Sequence, residues 1–420
     1  MKKFITLCLL VSMFVLPVFS QGSSEKSTSE DKETTLTVLW FNDGDESDVF
    51  LDTIDDYLQS NPNIKVDMQI VAYSGYEEKL KMMISGGNPP DLARVTTTNV
   101  TNLLSSFEPI EGYVSDIDSV KSSFMATQVA YATNSDGQLI AYPTEATANG
   151  MLVNLDAWEN AGFDVKTLSK TWTWDEFEKD AKVVMEKNDK IKYGFALDFT
   201  PHRFSTVLYE MGGHFLNSDQ TQMEFNNQGT IDTINMLKRF QDEGIMPKSV
   251  WLGSENPSEL FQAGLVASHI GGSWNINTYN KGVSDFRWCA VNTPKGAINS
   301  STPGGKFIAS FKDSKNKDAA MALMAAFSDK THNEKYCADT FNLSSRTDTD
   351  VQYASNSDDF KVFQEDLMKT PAFTANEWKN TSFSKVSTYT KEQIVQALMG
   401  NITAQTAAEN VDKKAALYFK

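Results

Sequence analysis

Leu36-Thr37-Val38-Leu39-Trp40, then Ile64-Lys65-Val66-Asp67-Met68-Gln69-Ile70-Val71, then Gly86-Gly87-Asn88-Pro89-Pro90-Asp91-Leu92-Ala93-Arg94-Val95: these segments decide the fold. Each apolar run reads as a strand, and the stretches between them, near Asp48–Ser60 and Tyr76–Ser85, carry helix-forming residues. The second helix must stop hard, because two glycines offer a left-handed cap and two prolines forbid continuation. Strand–helix–strand–helix–strand predicts an α/β chain with mainly parallel sheets covered on both faces by helices.

Working outward, the N-terminus reads as a targeting segment. Lys2-Lys3 precede an apolar run from Phe4 to Phe19, and Val18-Phe19-Ser20 suits a signal peptidase, with Gln21 as the first mature residue. The run is short for a membrane span and contains Pro17. Cys8 lies inside it, so lipid attachment is not expected. Residues 1–20 are therefore read as a signal peptide. Residues 21–35, with no large apolar side chain, are read as a flexible spacer.

The formal net charge of −17 argues against nucleic acid and anionic membrane surfaces as partners. Cys289 and Cys337 are the cysteines beyond the leader, too few for a disulfide framework, and are expected to be separate thiols. His202, His214, His269 and His332 are scattered, which gives no metal-ligand spacing, and no cofactor or metal is expected. Nucleophile-elbow, zinc-protease and phosphate-loop motifs are absent from the sequence. Carboxylates alone leave a secreted glycosidase open, since that chemistry needs only two in a cleft.

The strand–helix pattern continues to Pro143, is interrupted by the polar Thr144-Glu145-Ala146-Thr147, and restarts at Gly150-Met151-Leu152-Val153-Asn154. Helix Trp174 onward shows Trp174, Phe177, Ala181 and Val184 on one side, with Thr173 and Glu176 at capping-box spacing. A chain this long exceeds one comfortable core, so two lobes are expected. In open sheets of this kind ligands sit beyond the carboxyl ends of strands. That rule selects the segments after Trp40, Val71, Val95, Leu197 and Ile270.

Several short segments then fall in a known order. They are Asn61-Pro62-Asn63-Ile64-Lys65-Val66, Gly87-Asn88-Pro89-Pro90-Asp91, Gly150-Met151-Leu152-Val153-Asn154-Leu155-Asp156 and Thr173-Trp174-Asp175-Glu176-Phe177. Phe261-Gln262-Ala263-Gly264, Gly271-Gly272-Ser273-Trp274 and Ser314-Lys315-Asn316-Lys317-Asp318-Ala319-Ala320 follow. Together they make the chain resemble the family 1 extracellular solute-binding proteins, the maltose-binding-protein-like receptors of carbohydrate ABC importers. The resemblance implies two α/β lobes closing on ligand: 36–143 with 305–350, and 149–292 with 351–420, hinged near 143–149 and 293–304. It implies a monomeric, exported receptor that delivers its ligand to ABC permease subunits.

Sugars present hydroxyls that need planar hydrogen-bonding groups, and flat C–H faces that stack on aromatic rings. Trp40, Asn42 and Asp43 match the cleft lip, although Trp40 could equally finish a core strand and the acids could favour a helix start. Glu145 matches a hinge acid that meets ligand. Trp274, after Gly271-Gly272-Ser273, matches a sugar-stacking aromatic, and His202 a position that is often aromatic in the family. Tyr73, Thr97 and Asn99 lie at strand ends, where the latter two could instead cap a helix. Gly305 could let backbone approach ligand, and Arg346 could make a bidentate contact. Two other readings stay open: a receptor for a non-sugar polar solute such as a polyamine or glycerol phosphate, and a sensory ligand-binding component that presents its closed form to a signalling partner. Asp43, Glu46 and Glu145 keep the polyamine alive.

Overall fold

The computed structural model describes residues 33–42, 45–73, 75–298 and 300–419. The leader, most of the spacer and Asp43 lie outside the described residues. The nine strands in the described residues are β1 (Thr34–Trp40), β2 (Ile64–Ile70), β3 (Leu92–Thr96), β4 (Tyr142–Asn154), β5 (Ala196–Leu197), β6 (Ser268–Gly272), β7 (Trp288–Val291), β8 (Pro303–Ser310) and β9 (Leu343–Ser344). β1 pairs in parallel with β2 and β3. The helix stop between β2 and β3 forms as expected, but with one left-handed glycine: Gly87 has φ +69°, and its successor Asn88 donates back to the Met83 carbonyl.

β4 organises the molecule. Its first half, Tyr142 to Ala148, pairs antiparallel with β8, and its second half, Asn149 to Asn154, pairs antiparallel with β6 and β7. One thirteen-residue strand thus belongs to two sheets. β3–β8, β4–β9 and the β4 pairings are antiparallel, and β5–β6 is parallel. The sheets are therefore mixed, which corrects the expectation of mainly parallel ones. Parallel ladders occur where a helix returns the chain; antiparallel ones occur where β4 and β8 run between the two halves in opposite directions.

The polar segment 144–147, read from sequence as a break between two strands at the hinge, is instead continuous strand within the first half of β4. Tertiary partners make this possible: Thr144 donates to the Lys306 carbonyl at 3.0 Å, and Glu145 is neutralised by cations. Two cores flank the crossing. One gathers Leu36, Val38, Phe50, Val95, Phe307 and Phe327; the other gathers Trp158, Phe177, Phe204, Phe240 and Val411. The helix Trp174–Lys187 has its capping box and buries Trp174, Phe177, Ala181 and Val184, the stripe read from sequence.

The helix Ala372–Lys379 spans the crossing. Trp378 packs against both cores, and the Lys379 ammonium donates to the carbonyls of Ala130 (3.0 Å) and Thr133 at the end of helix Ala126–Tyr131. A cation at a helix C-terminus is favoured by the aligned peptide dipoles. Segment 351–419 thus packs on both halves. Cys289 and Cys337 are free, buried thiols.

Candidate functional site

β6 ends in Gly271-Gly272, and the turn that follows is tied to the centre of β4, where the Ser273 N–H donates to the Ala148 carbonyl at 2.9 Å. This places Trp274, at the start of helix Asn275–Gly282, beside the crossing strand. There it lines a cavity of about 960 Å³. From its own half come Asn277, Thr278, Asn280 and Lys281; from the other come Glu46, Lys306 and the segment Asp339 to Asn342; Thr147 of β4 lies between them. The cleft therefore draws on both lobes. Its amides, hydroxyls, acids and two lysines supply hydrogen bonds to a polyhydroxylated ligand, and Trp274 and Phe341 supply apolar surface.

Trp274 is 42% exposed, high for so large an aromatic. The glycines before it do not bring backbone to a ligand. A Cβ on Gly272 would lie 1.9 Å from Trp274 Cη2, so Gly272 is the slot into which the indole fits. A Cβ on Gly271 would strike Asn275 and His269.

Behind Trp274 lies a polar network. The Arg203 guanidinium lies over the indole, 4.6 Å from its centroid, with Asp198 Oδ2 at 3.5 Å from its Nε. Asp198 also faces His269 Nε2 at 3.1 Å, and His269 Nδ1 faces the Tyr279 hydroxyl at 2.6 Å. Arg203 Nη1 lies 3.0 Å from His202 Nδ1, while His202 Nε2 faces the Pro303 carbonyl at 3.4 Å. Arginine cannot accept, so Nδ1 is the acceptor and Nε2 carries the proton. Burial, reinforced by the Arg203 charge, pushes the His202 pKa down to about 3, and the ring is neutral. His202 links the two halves instead of facing the cavity.

Under the first-lobe wall sits a buried ion cluster. Arg94 donates to Glu145 Oε1 at 2.7 Å and to the Phe41 carbonyl at 2.8 Å, and Lys306 Nζ lies 3.0 Å from the same Glu145 oxygen. Burial alone would raise the Glu145 pKa, but Arg94 and Lys306 together hold it down at about 2. Glu145 is thus an ionised structural anchor at the crossing, completely buried, which corrects its placement at the ligand. It acts on the cleft through Lys306, which does line the cavity.

The other sequence-derived positions divide clearly. Trp40 is 1% exposed and packs on Phe50 with centroids 4.8 Å apart, so it belongs to the core and not to the lip. Asn42 exchanges hydrogen bonds with Ser47, its Oδ1 accepting the Ser47 N–H at 3.0 Å, and so shapes the start of helix Glu46–Thr53. Tyr73 is 55% exposed, with its ring on Phe41, outside the cavity lining. Asn99 forms a capping box with Thr96 and donates to Glu77 Oε2 at 2.9 Å, while the Thr97 carbonyl accepts from Thr101; both serve the helix Thr97–Leu103.

Gly305 is enclosed by protein: a Cβ there would meet Gln128 Oε1 at 2.4 Å and the Glu145 carbonyl at 2.8 Å. Arg346 does make a bidentate contact, but with Asp348, through Nε and Nη2 at 2.8 Å each, so its fork is occupied. Of the sequence-derived sugar contacts within the described chain, Trp274 alone lines the cavity; Glu46, read from sequence as a group that could meet a polyamine, lines it as well.

Sequence reasoning missed Lys306, Asn277, Asn280, Phe341 and Asn342. Arg94 carried a readable signal, a lone charge in the apolar strand Leu92-Ala93-Arg94-Val95, which demands a buried partner. Phe341 carries a structural signal: its φ of +55° is a conformation that bulky residues rarely adopt.

Comparison with known proteins agrees with this architecture. The chain is 26% identical over 312 residues to the diacetylchitobiose binding protein DasA of Streptomyces coelicolor, covering 70% of each. In structure it is similar to the cyclic alpha-maltosyl-1,6-maltose binding protein of Arthrobacter globiformis, with a TM-score of 0.78 and 20% identity over 92% of this chain and 99% of that one. It is also similar to an ABC substrate-binding protein of Listeria monocytogenes solved in complex with cycloalternan, with a TM-score of 0.72 and 22% identity over 93% and 100%. These likenesses show the two-lobe periplasmic-binding-protein fold. The family model described as a bacterial extracellular solute-binding protein matches residues 52–362, most of the chain, and the chain belongs to that family.

Proposed function

We propose that this protein captures a neutral mono- or oligosaccharide in the cleft between its lobes and delivers it to the permease subunits of an ABC importer. Its family is one of receptors, not enzymes, and membership implies an extracytoplasmic location. Among the described residues no helix is long and apolar enough to cross a membrane. The single observation that carries the sugar reading is the exposed Trp274 ring, in a cavity where half of the other lining residues carry amides or hydroxyls. Names of relatives support it, diacetylchitobiose and arabinooligosaccharide among them. Ligand that contacts both walls at once favours the closed arrangement, so capture is a population shift about the β4 crossing. The chain acts as an exported monomer freed of residues 1–20.

The cleft also holds Asp45, Glu46 and Asp339, the groups a polyamine would need, beside Lys281 and Lys306, which would oppose it. A thermal-shift screen with diacetylchitobiose, maltotriose, arabinotriose, spermidine and glycerol 3-phosphate separates these readings. A neutral sugar is expected to raise the melting temperature, and Trp274→Ala to abolish the rise while leaving the unliganded protein folded. Stabilisation by spermidine or glycerol 3-phosphate alone would overturn the sugar reading.

A further inference from the structure

An exposed indole on a turn has two torsions to spend and should wander, yet a stacking platform is useful only if it is already in place when ligand arrives. Among the described residues none is hydrogen-bonded to the Trp274 ring, and Trp274 stands at the start of its helix with 42% of its surface open. What fixes it lies behind. Gly272 approaches the six-membered ring closely enough that a Cβ would sit 1.9, 2.0 and 2.2 Å from Cη2, Cζ3 and Cζ2. Near-equal distances to three adjacent carbons describe an approach over the face of the ring, not at its edge.

The Arg203 guanidinium also lies over the indole, 4.6 Å from its centroid, and Arg203 is not among the described residues that line the cavity. Arg203 is itself pinned. Thr200 caps its backbone N–H at 3.1 Å, Asp198 lies at 3.5 Å, and His202 accepts from it at 3.0 Å. Asp198 is in turn shared with the buried His269 of β6.

We propose that Arg203 is the positioning residue of the cleft: its planar cation backs the Trp274 indole, presents the open side of the ring to ligand, and sets which charges approach that side. The contribution to ligand binding rests on the sugar reading of Trp274; the charge effect does not. A unit charge about 8 Å away, on the far side of the ring from the ion, changes the local concentration of a small ion in a watery cleft by about 2-fold, in opposite senses for a cation and an anion. Lysine would retain the charge but not the planar guanidinium.

The test uses the mature chain and takes the Trp274 signal as wild type minus Trp274→Phe. Caesium and iodide are the probes, and quenching by each is compared at fixed ionic strength in wild type, Arg203→Met and Arg203→Lys. The expected result is a shift of the caesium-to-iodide quenching ratio by about 3-fold or more toward caesium in Arg203→Met, with Arg203→Lys restored toward wild type. In parallel, the Kd for diacetylchitobiose and for maltotriose is measured, with a rise of about 5-fold or more expected in Arg203→Met for whichever binds. Should Arg203→Met not fold, Arg203→Gln takes its place.

An unchanged quenching ratio in a folded neutral variant overturns the proposal. So does an unchanged Kd for a sugar that the wild type binds. If neither sugar binds the wild type while the ratio shifts as expected, Arg203 retains its place behind Trp274 and the sugar reading loses support.

Discussion

Replacing Gly272 by alanine adds one carbon and should remove the ligand platform without unfolding the protein. The new Cβ would lie 1.9 Å from Trp274 Cη2, where carbon atoms in contact need about 3.5 Å, so the indole must retreat by about 1.5 Å or swing out of its slot. Gly272 itself gives no ground for backbone strain, since it is absent from the glycines with positive φ. Its N–H donates to Asn275 Oδ1 at 2.9 Å and it pairs with Asn149 in the sheet, contacts that alanine can keep. Because the indole is already partly in water, the cost to folding is small, about 1 kcal/mol or less.

The cost to binding is larger. A stacked aromatic contributes about 0.5–1.5 kcal/mol beyond the area it buries, and with that area the loss is about 1.5–3 kcal/mol. That corresponds to a Kd raised about 10- to 150-fold. Calorimetric titration of wild type, Gly272→Ala, Trp274→Ala and the double variant forms a thermodynamic cycle. If Gly272 acts only through the ring, the double variant binds no more weakly than Trp274→Ala. Gly272→Ala binding within 2-fold of wild type, or losses that simply add in the double variant, would refute the reasoning.

Glu145→Ala removes the carboxylate nearest to both Arg94 and Lys306, leaving Glu46 at 3.9 Å from Arg94, and should destabilise the protein by about 3–5 kcal/mol in urea unfolding, whereas a cost under about 1 kcal/mol would remove the cluster as an anchor. Stability should also depend on pH from two sides. Glu145, with its pKa held down at about 2, contributes stability that is complete above its unfolded value near 4.5 and is lost as pH falls toward 2. Burial raises the Glu377 pKa to about 7 and that of Asp366 to about 6. Their protonated forms are favoured on folding, so their contribution is present at low pH and is lost as pH rises from about 4.5 through 7. The melting temperature should peak near pH 5, and Glu377→Gln should flatten its decline toward pH 8; an identical slope in the variant would contradict this. Burial pushes the Cys289 thiol up to about 12 and raises Cys337 as well, so neither should react with a thiol reagent until denaturant is added.

The fold was legible where short-range chemistry decides it. The Gly86-Gly87 stop before Pro89-Pro90, the Thr173–Glu176 cap and the Trp174–Val184 stripe all depend on neighbours within a few residues. What was not legible depends on partners far along the chain. Thr144 and Glu145 look like loop residues until Arg94 and Lys306 are brought beside them. The strand-end rule located the turn after β6 and hence Trp274, but Trp40, at the end of β1, turns into the core, because a strand end says where the backbone stops and not which face a side chain takes. Phe341 and Asn342 follow a helix, not a strand, so the rule could not reach them.

The central claim is that a neutral sugar is captured by closure of two lobes about β4. Small-angle X-ray scattering of the mature chain, with and without the sugar that stabilises it, tests this most directly. The account predicts a smaller radius of gyration on saturation, and no change for Trp274→Ala under the same conditions. Sugar binding with unaltered scattering, or compaction driven only by a charged solute, would contradict it.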